Sequence, residues 1–179
     1  NQQNMDEEED VLPFELETLS EMYSKEEIQW LPSIGDNCRG ILQVLCRPMT
    51  GAGGASEQFI RAELLIEIGI KYPFIPPSFR FRRTSGIGQI EEKSILNELK
   101  EVTNELIEFP MLLSIIEKCS ELLTTFNTFG ECSICLESFE NFEEDIKNCS
   151  GGGGVSNIPI LIRTEPCWHR FHLKCLSDV

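Results

Sequence analysis

The chain has 179 residues, enough for one ordinary domain and a smaller second one. A net charge of −15, from 30 acidic against 15 basic residues, leaves no basic face of the kind that grips nucleic acid, and it argues against DNA or RNA as a direct partner. Apolar residues make up 41 %, so a packed core can form, yet no apolar run approaches the roughly 18 residues of a membrane span, and the acidic N-terminus is unlike a secretory signal.

The charge run Asp6, Glu7, Glu8, Glu9 and Asp10 is expected to be a solvated, disordered acidic tail over 1–10. Pro13 then suits a first helical turn. Leu12, Leu16, Leu19, Met22 and Tyr23 recur at three- and four-residue intervals and predict a helix with this stripe on the core and Glu15, Glu17 and Glu21 on the other side. Three strands are expected next. The first is the β-prone run 41–46, ended by Pro48; the Gly-rich stretch 51–56 reads as a flexible connection. In the second, 59–70, Ala62, Leu64, Ile66, Ile68 and Ile70 alternate with Arg61, Glu63, Leu65 and Glu67, which predicts a half-buried antiparallel strand. The third, 78–82, alternates Phe79 and Phe81 with basic groups.

Between the second and third strands, Pro73, Pro76 and Pro77 follow Tyr72 closely. Such a segment cannot enter a ladder and predicts a rigid turn with an aromatic anchor. A polyproline ligand is the rival reading, but those ligands are flexible linkers, and this segment is framed by strands. Two helices close the region. One spans 90–107 with Ile90, Ile95, Leu99, Val102 and Leu106 on one face; the other spans 111–126, after Pro110, with a wide apolar arc that includes Cys119. The order helix, sheet, helix, helix is an α+β sandwich with its helices on one face of an antiparallel sheet.

Five of the eight cysteines lie from Cys132 onward. The pattern is Cys132-x2-Cys135, a long gap, then Cys167-x-His169-x2-His172-x2-Cys175. A chain without an export signal, with cysteines interleaved with histidines at ligand spacing, favours metal over disulfides and a cytoplasmic or nuclear location. Six ligands exceed the four that one tetrahedral zinc takes and fall short of two full sites. A single zinc ribbon built from four of them is the simplest alternative. Cys149, in a glycine-rich stretch, fits no ligand slot.

Tyr72, Pro73 and Pro77 resemble the signature of the RWD domain, and the run from Glu15 to Tyr23 resembles that family's first helix. The resemblance covers about 10–128 and implies a protein-interaction domain similar in fold to the ubiquitin-conjugating enzymes but without their catalytic cysteine. No His-Pro-Asn triplet is present, and Cys38, Cys46 and Cys119 read as core or near-core residues. The cysteine–histidine pattern resembles a RING finger with histidine at its fourth and fifth ligand positions. That resemblance implies a first zinc on Cys132, Cys135, His172 and Cys175, half of a second site from Cys167 and His169, and docking of a ubiquitin-loaded conjugating enzyme at Ile134. The zincs would be structural, with no catalytic side chain. RING-between-RING ligases are the nearest rival family, but their first RING usually carries cysteine where this chain has His172.

The expected domains are therefore an RWD domain over 11–129 and a partial RING finger over 131–179, cut short at the C-terminus. The expected function is the N-terminal part of a RING-type ubiquitin-protein ligase, with the RWD domain recruiting a protein partner and the 179-residue chain inactive by itself. The alternative is a non-catalytic RWD interaction module with an incomplete zinc finger.

Overall fold

The computed structural model describes residues 10–33, 37–49, 58–127, 131–138, 161–164 and 169–178. In chain order the elements are α1 (Val11–Met22), β1 (Ile28–Pro32), β2 (Cys38–Cys46), β3 (Arg61–Gly69), β4 (Ser78–Ser85), α2 (Gln89–Glu105), α3 (Leu112–Thr125), β5 (Leu161–Arg163), β6 (Arg170–His172) and α4 (Leu173–Ser177). The expected 1–10 tail lies outside the described residues except for Asp10. That residue caps α1 by accepting the Leu12 N–H at 3.3 Å, and its carboxylate also pairs with the Arg39 guanidinium. The Gly-rich stretch 51–56 lies outside as well.

Period-two alternation builds a four-stranded antiparallel meander, β1-β2-β3-β4. Leu42 faces Ile66, Val44 faces Leu64, and Ile66 faces Phe79, so apolar side chains stack across the strands on one face. Leu42, Val44, Ala62, Leu64, Ile66 and Ile68 share a buried core with Leu19 of α1, Ile95 and Leu99 of α2, and Ile115, Ile116, Cys119 and Leu123 of α3. Each such leucine or isoleucine contributes about 1.5–3 kcal/mol by leaving water. On the opposite face, Glu63 accepts hydrogen bonds from Gln43 at 2.6 Å and Arg82 at 2.9 Å, which offsets the cost of its burial. The expected α+β sandwich on an antiparallel sheet is thus the observed fold.

Three details differ from expectation. The meander has an additional strand, β1, whose sequence ends in Pro32; a proline is tolerated there because β1 is an edge. Its Trp30 ring lies against Gly40, where an added Cβ would sit 2.4 Å from Cζ2. Met22, Ile70 and Ile90, assigned to apolar faces, are exposed. Met22 is the last residue of α1, Ile70 falls beyond the end of β3, and Ile90 is the second residue of α2, so each lies past the neighbour that would cover it. Finally, Glu15 is not on the solvent side: it is 6 % exposed.

The Glu15 reversal has a physical cause at the start of α3. Its N-cap, Met111, offers no side-chain acceptor for the free N–H groups of the first turn. Glu15 reaches across from α1 and accepts the Leu112 N–H at 2.8 Å, while the Tyr72 hydroxyl accepts the Met111 N–H at 3.0 Å and donates to Glu15. Desolvation raises the Glu15 pKa despite the Tyr72 and backbone hydrogen bonds that lower it. The same burial, together with the Glu15 carboxylate, pushes the Tyr72 phenol up. The Tyr72–Pro73 peptide bond is cis, and Tyr72, Pro73 and Pro77 are all buried. Tyr72 anchors the turn through its hydroxyl, a polar role that the sequence did not reveal.

Candidate metal centre

The cluster is assembled by two short motifs. Cys132 opens a tight turn closed by Leu136 N–H to Cys132 C=O at 2.9 Å, and the flanking Glu131–Ser138 bridge clamps its ends. This turn presents Cys132 and Cys135 together. The second motif is a strand-to-helix step. His172 ends β6 and caps α4, and Cys175 follows one helical turn on. A backbone contact from Ser133 N–H to Arg170 C=O at 3.5 Å joins the two motifs.

The ligand atoms of Cys132, Cys135, His172 and Cys175 all lie within 4.8 Å of one another. His172 Nδ1 is 3.3 Å from Cys135 Sγ and 3.7 Å from Cys175 Sγ. Zn–S bonds of about 2.3 Å and Zn–N bonds of about 2.0–2.1 Å set tetrahedral ligand separations of about 3.6–3.8 Å. The donor set and its spacing therefore fit a closed four-ligand site, in which His172 would bind through Nδ1, the nitrogen nearest the sulfurs.

Electrostatics favour a cation at the same point. Burial acts to raise the Cys132 pKa, but N–H groups of Cys135, His172 and Ile134 directed at its sulfur bring it down to about 7. Cys175 is pushed up to about 11 by desolvation and by the adjacent Cys135 and Cys132 sulfurs. One thiolate forms readily and the next is opposed by it, a conflict that a divalent cation removes.

The other assigned residues are placed as follows. His169 is exposed, 6.3 Å from the Phe171 ring, and stands apart from the four-residue cluster. Cys167, its expected ligand partner, and Cys149 lie outside the described residues. Ile134 is 41 % exposed between the two turn cysteines, and Leu136, Leu173 and Leu176 are exposed near it in sequence or on α4. These leucines escaped the sequence reading, because an isolated leucine in a loop or short helix carries no periodic signal. Arg170 is buried, with its guanidinium 5.4 Å over the Phe59 ring, so the strand leading to His172 packs on the residues that precede β3. Elsewhere, Cys46 and Cys119 are both buried, and the Cys46 thiol is held well above its usual range by Cys119 and by burial, the opposite of an activated nucleophile. No helix of the described residues is long and apolar enough to cross a membrane.

Comparison with known proteins supports the fold of residues 11–123. The profile of the RWD domain family matches residues 11–123. Over 172 residues the chain is 29 % identical to E3 ubiquitin-protein ligase RNF25 of Homo sapiens, covering 96 % of this chain and 33 % of that protein. It is 31 % identical over 172 residues to the Mus musculus protein of the same name, again with 96 % and 33 % covered. The chain thus spans about a third of the length of these curated relatives. The solution structure of the RWD domain of mouse GCN2 superposes with a TM-score of 0.60 at 17 % identity, covering 74 % of this chain and 97 % of that one, a likeness of fold alone.

Proposed function

The chain belongs to the RWD domain family, and from that premise we propose that it is part of a RING-type ubiquitin-protein ligase, with residues 11–129 as the partner-binding domain and 131–179 contributing a zinc-binding RING finger. The observation that carries the reading is the gathering of Cys132, Cys135, His172 and Cys175 from two motifs far apart in sequence. Similarity to proteins named as ubiquitin ligases along 96 % of the chain supports it.

In this reading the metal is structural, since a closed four-ligand site leaves no open position for chemistry. Its part is to fix the Cys132 turn against α4. Ile134, between two ligands in sequence and 41 % exposed, is the contact for a ubiquitin-conjugating enzyme, and Leu136, two residues on, is exposed as well. Rate gain would come from positioning the ubiquitin thioester for attack. Cys167 and His169 would serve a second zinc.

Zinc measured per mole of protein tests the ligand set. Cys132→Ser is expected to lose far more zinc than Cys149→Ser, and equal losses would overturn the assignment. Docking is tested by titrating the labelled chain with a ubiquitin-conjugating enzyme. Ile134→Ala should weaken binding by roughly ten-fold or more, as for a central contact, with zinc content unchanged; binding indifferent to Ile134 would remove the docking role.

A further inference from the structure

The seam between α1 and α3 holds a groove of about 210 Å3 lined by none of the metal-centre residues. Phe14, Glu15, Thr18, Leu19, Pro110, Leu113 and Ser114 line it. Phe14 is 70 % exposed, so an aromatic ring on the groove's lining stands in water. With Pro110 and Leu113 it offers an apolar contact surface. The volume is below the roughly 300–1,000 Å3 of small-molecule sites; it suits apolar anchor side chains of a helix laid in a groove.

Charge identifies the partner. Helix α1 carries Glu15, Glu17 and Glu21 and no basic residue. On α3 the one cation, Lys118, is engaged by Glu121 at 3.2 Å, which leaves Glu117 exposed. Glu117 lies one helical turn on from Leu113 and Ser114. Glu17 and Glu21 stand one turn from Phe14 and Thr18 on the helix surface. The groove's lining is mainly apolar, and Glu17, Glu21 and Glu117 are exposed on the two helices that form it.

We propose that the α1–α3 seam is a docking site for a basic amphipathic helix of a partner protein, its apolar side chains seated beside Phe14 and Leu113 and its Lys or Arg residues facing Glu17, Glu21 and Glu117. The proposal rests on the interaction role of the RWD domain and specifies where and with what chemistry it acts. It is independent of the zinc cluster.

The test uses the whole 179-residue chain, isotope-labelled, and a synthetic helical peptide built only of leucine and lysine in amphipathic order. Shift changes are expected in α1 and the first half of α3. Phe14→Ser and the double variant Glu17→Lys/Glu21→Lys should each weaken binding by roughly ten-fold or more. Ile90→Ser, an exposed site on α2, should leave it unchanged, and a leucine–glutamate peptide should not bind. Thermal melts confirm that each variant is folded. Absence of binding at about 1 mM peptide, binding mapped elsewhere, or binding indifferent to Phe14 overturns the proposal. So does self-association of the chain that Phe14→Ser abolishes, which would assign the seam to a second copy. Seam binding without zinc retention would leave this inference standing and remove the ligase reading; zinc retention without seam binding would do the reverse.

Discussion

The Glu15 carboxylate ties three segments together: α1, the Tyr72 turn and the first turn of α3. Glu15→Ala would leave the Leu112 N–H and the Tyr72 hydroxyl without their acceptor, and a loss of about 1–3 kcal/mol is expected in urea unfolding followed at the β3 amides. The pH dependence has a definite sign. Because the folded pKa is raised, the linked stability is present below the unfolded value of 4.5 and is lost as pH rises through the folded pKa. Glu15→Gln cannot titrate, so the stability difference, wild type minus Glu15→Gln, should shrink as pH rises above 4.5. A difference that grows with pH would contradict the account. Gly40 makes a steric prediction at the same scale. Its missing Cβ would meet Trp30 Cζ2 at 2.4 Å and the Leu31 carbonyl at 2.7 Å, so Gly40→Ala is expected to lose about 1–3 kcal/mol by crowding.

At the scale of elements, α3 is the keystone of the domain. Ile115, Ile116, Cys119 and Leu123 are buried against the sheet, and its N-terminus is capped from outside by Glu15. Ile116→Ala should therefore destabilise the domain by about 2–5 kcal/mol in urea melts, as for other buried isoleucines. Its wide apolar arc made this helix legible from sequence. The short strand β1 was not legible: five residues ending in proline hold little alternation, and only pairing with β2 makes them a strand. Helix ends were equally hard to judge, because periodicity assigns a face without saying how far the neighbouring element extends. Met22 and Ile90 fall outside their cover for that reason.

On the scale of the whole molecule, two kinds of stability meet in one chain. The apolar core lies between Leu12 and Leu123, and Cys132 is buried beyond it. In the proposed reading the finger depends on its metal, as small zinc modules do. A strong chelator should collapse amide protection in 131–138 and 169–178 while β3 keeps its own, as hydrogen exchange would record; loss of protection in both together would mean that the zinc cluster supports the RWD core as well. Arg170 over Phe59 is the recorded point of contact between them.

By itself the sequence determined the α+β class, the alternating strands, the proline-locked turn and the candidate ligands, because each is written in local spacing. Tertiary structure alone decided what depends on residues far apart. It buried Glu15 by offering an uncapped helix end 97 positions away, and it brought Cys135 to His172 across 37 positions. It also left Phe14 exposed over a groove whose opposite wall comes from α3. Spacing in a chain fixes the face a residue occupies, whereas packing fixes what that face meets.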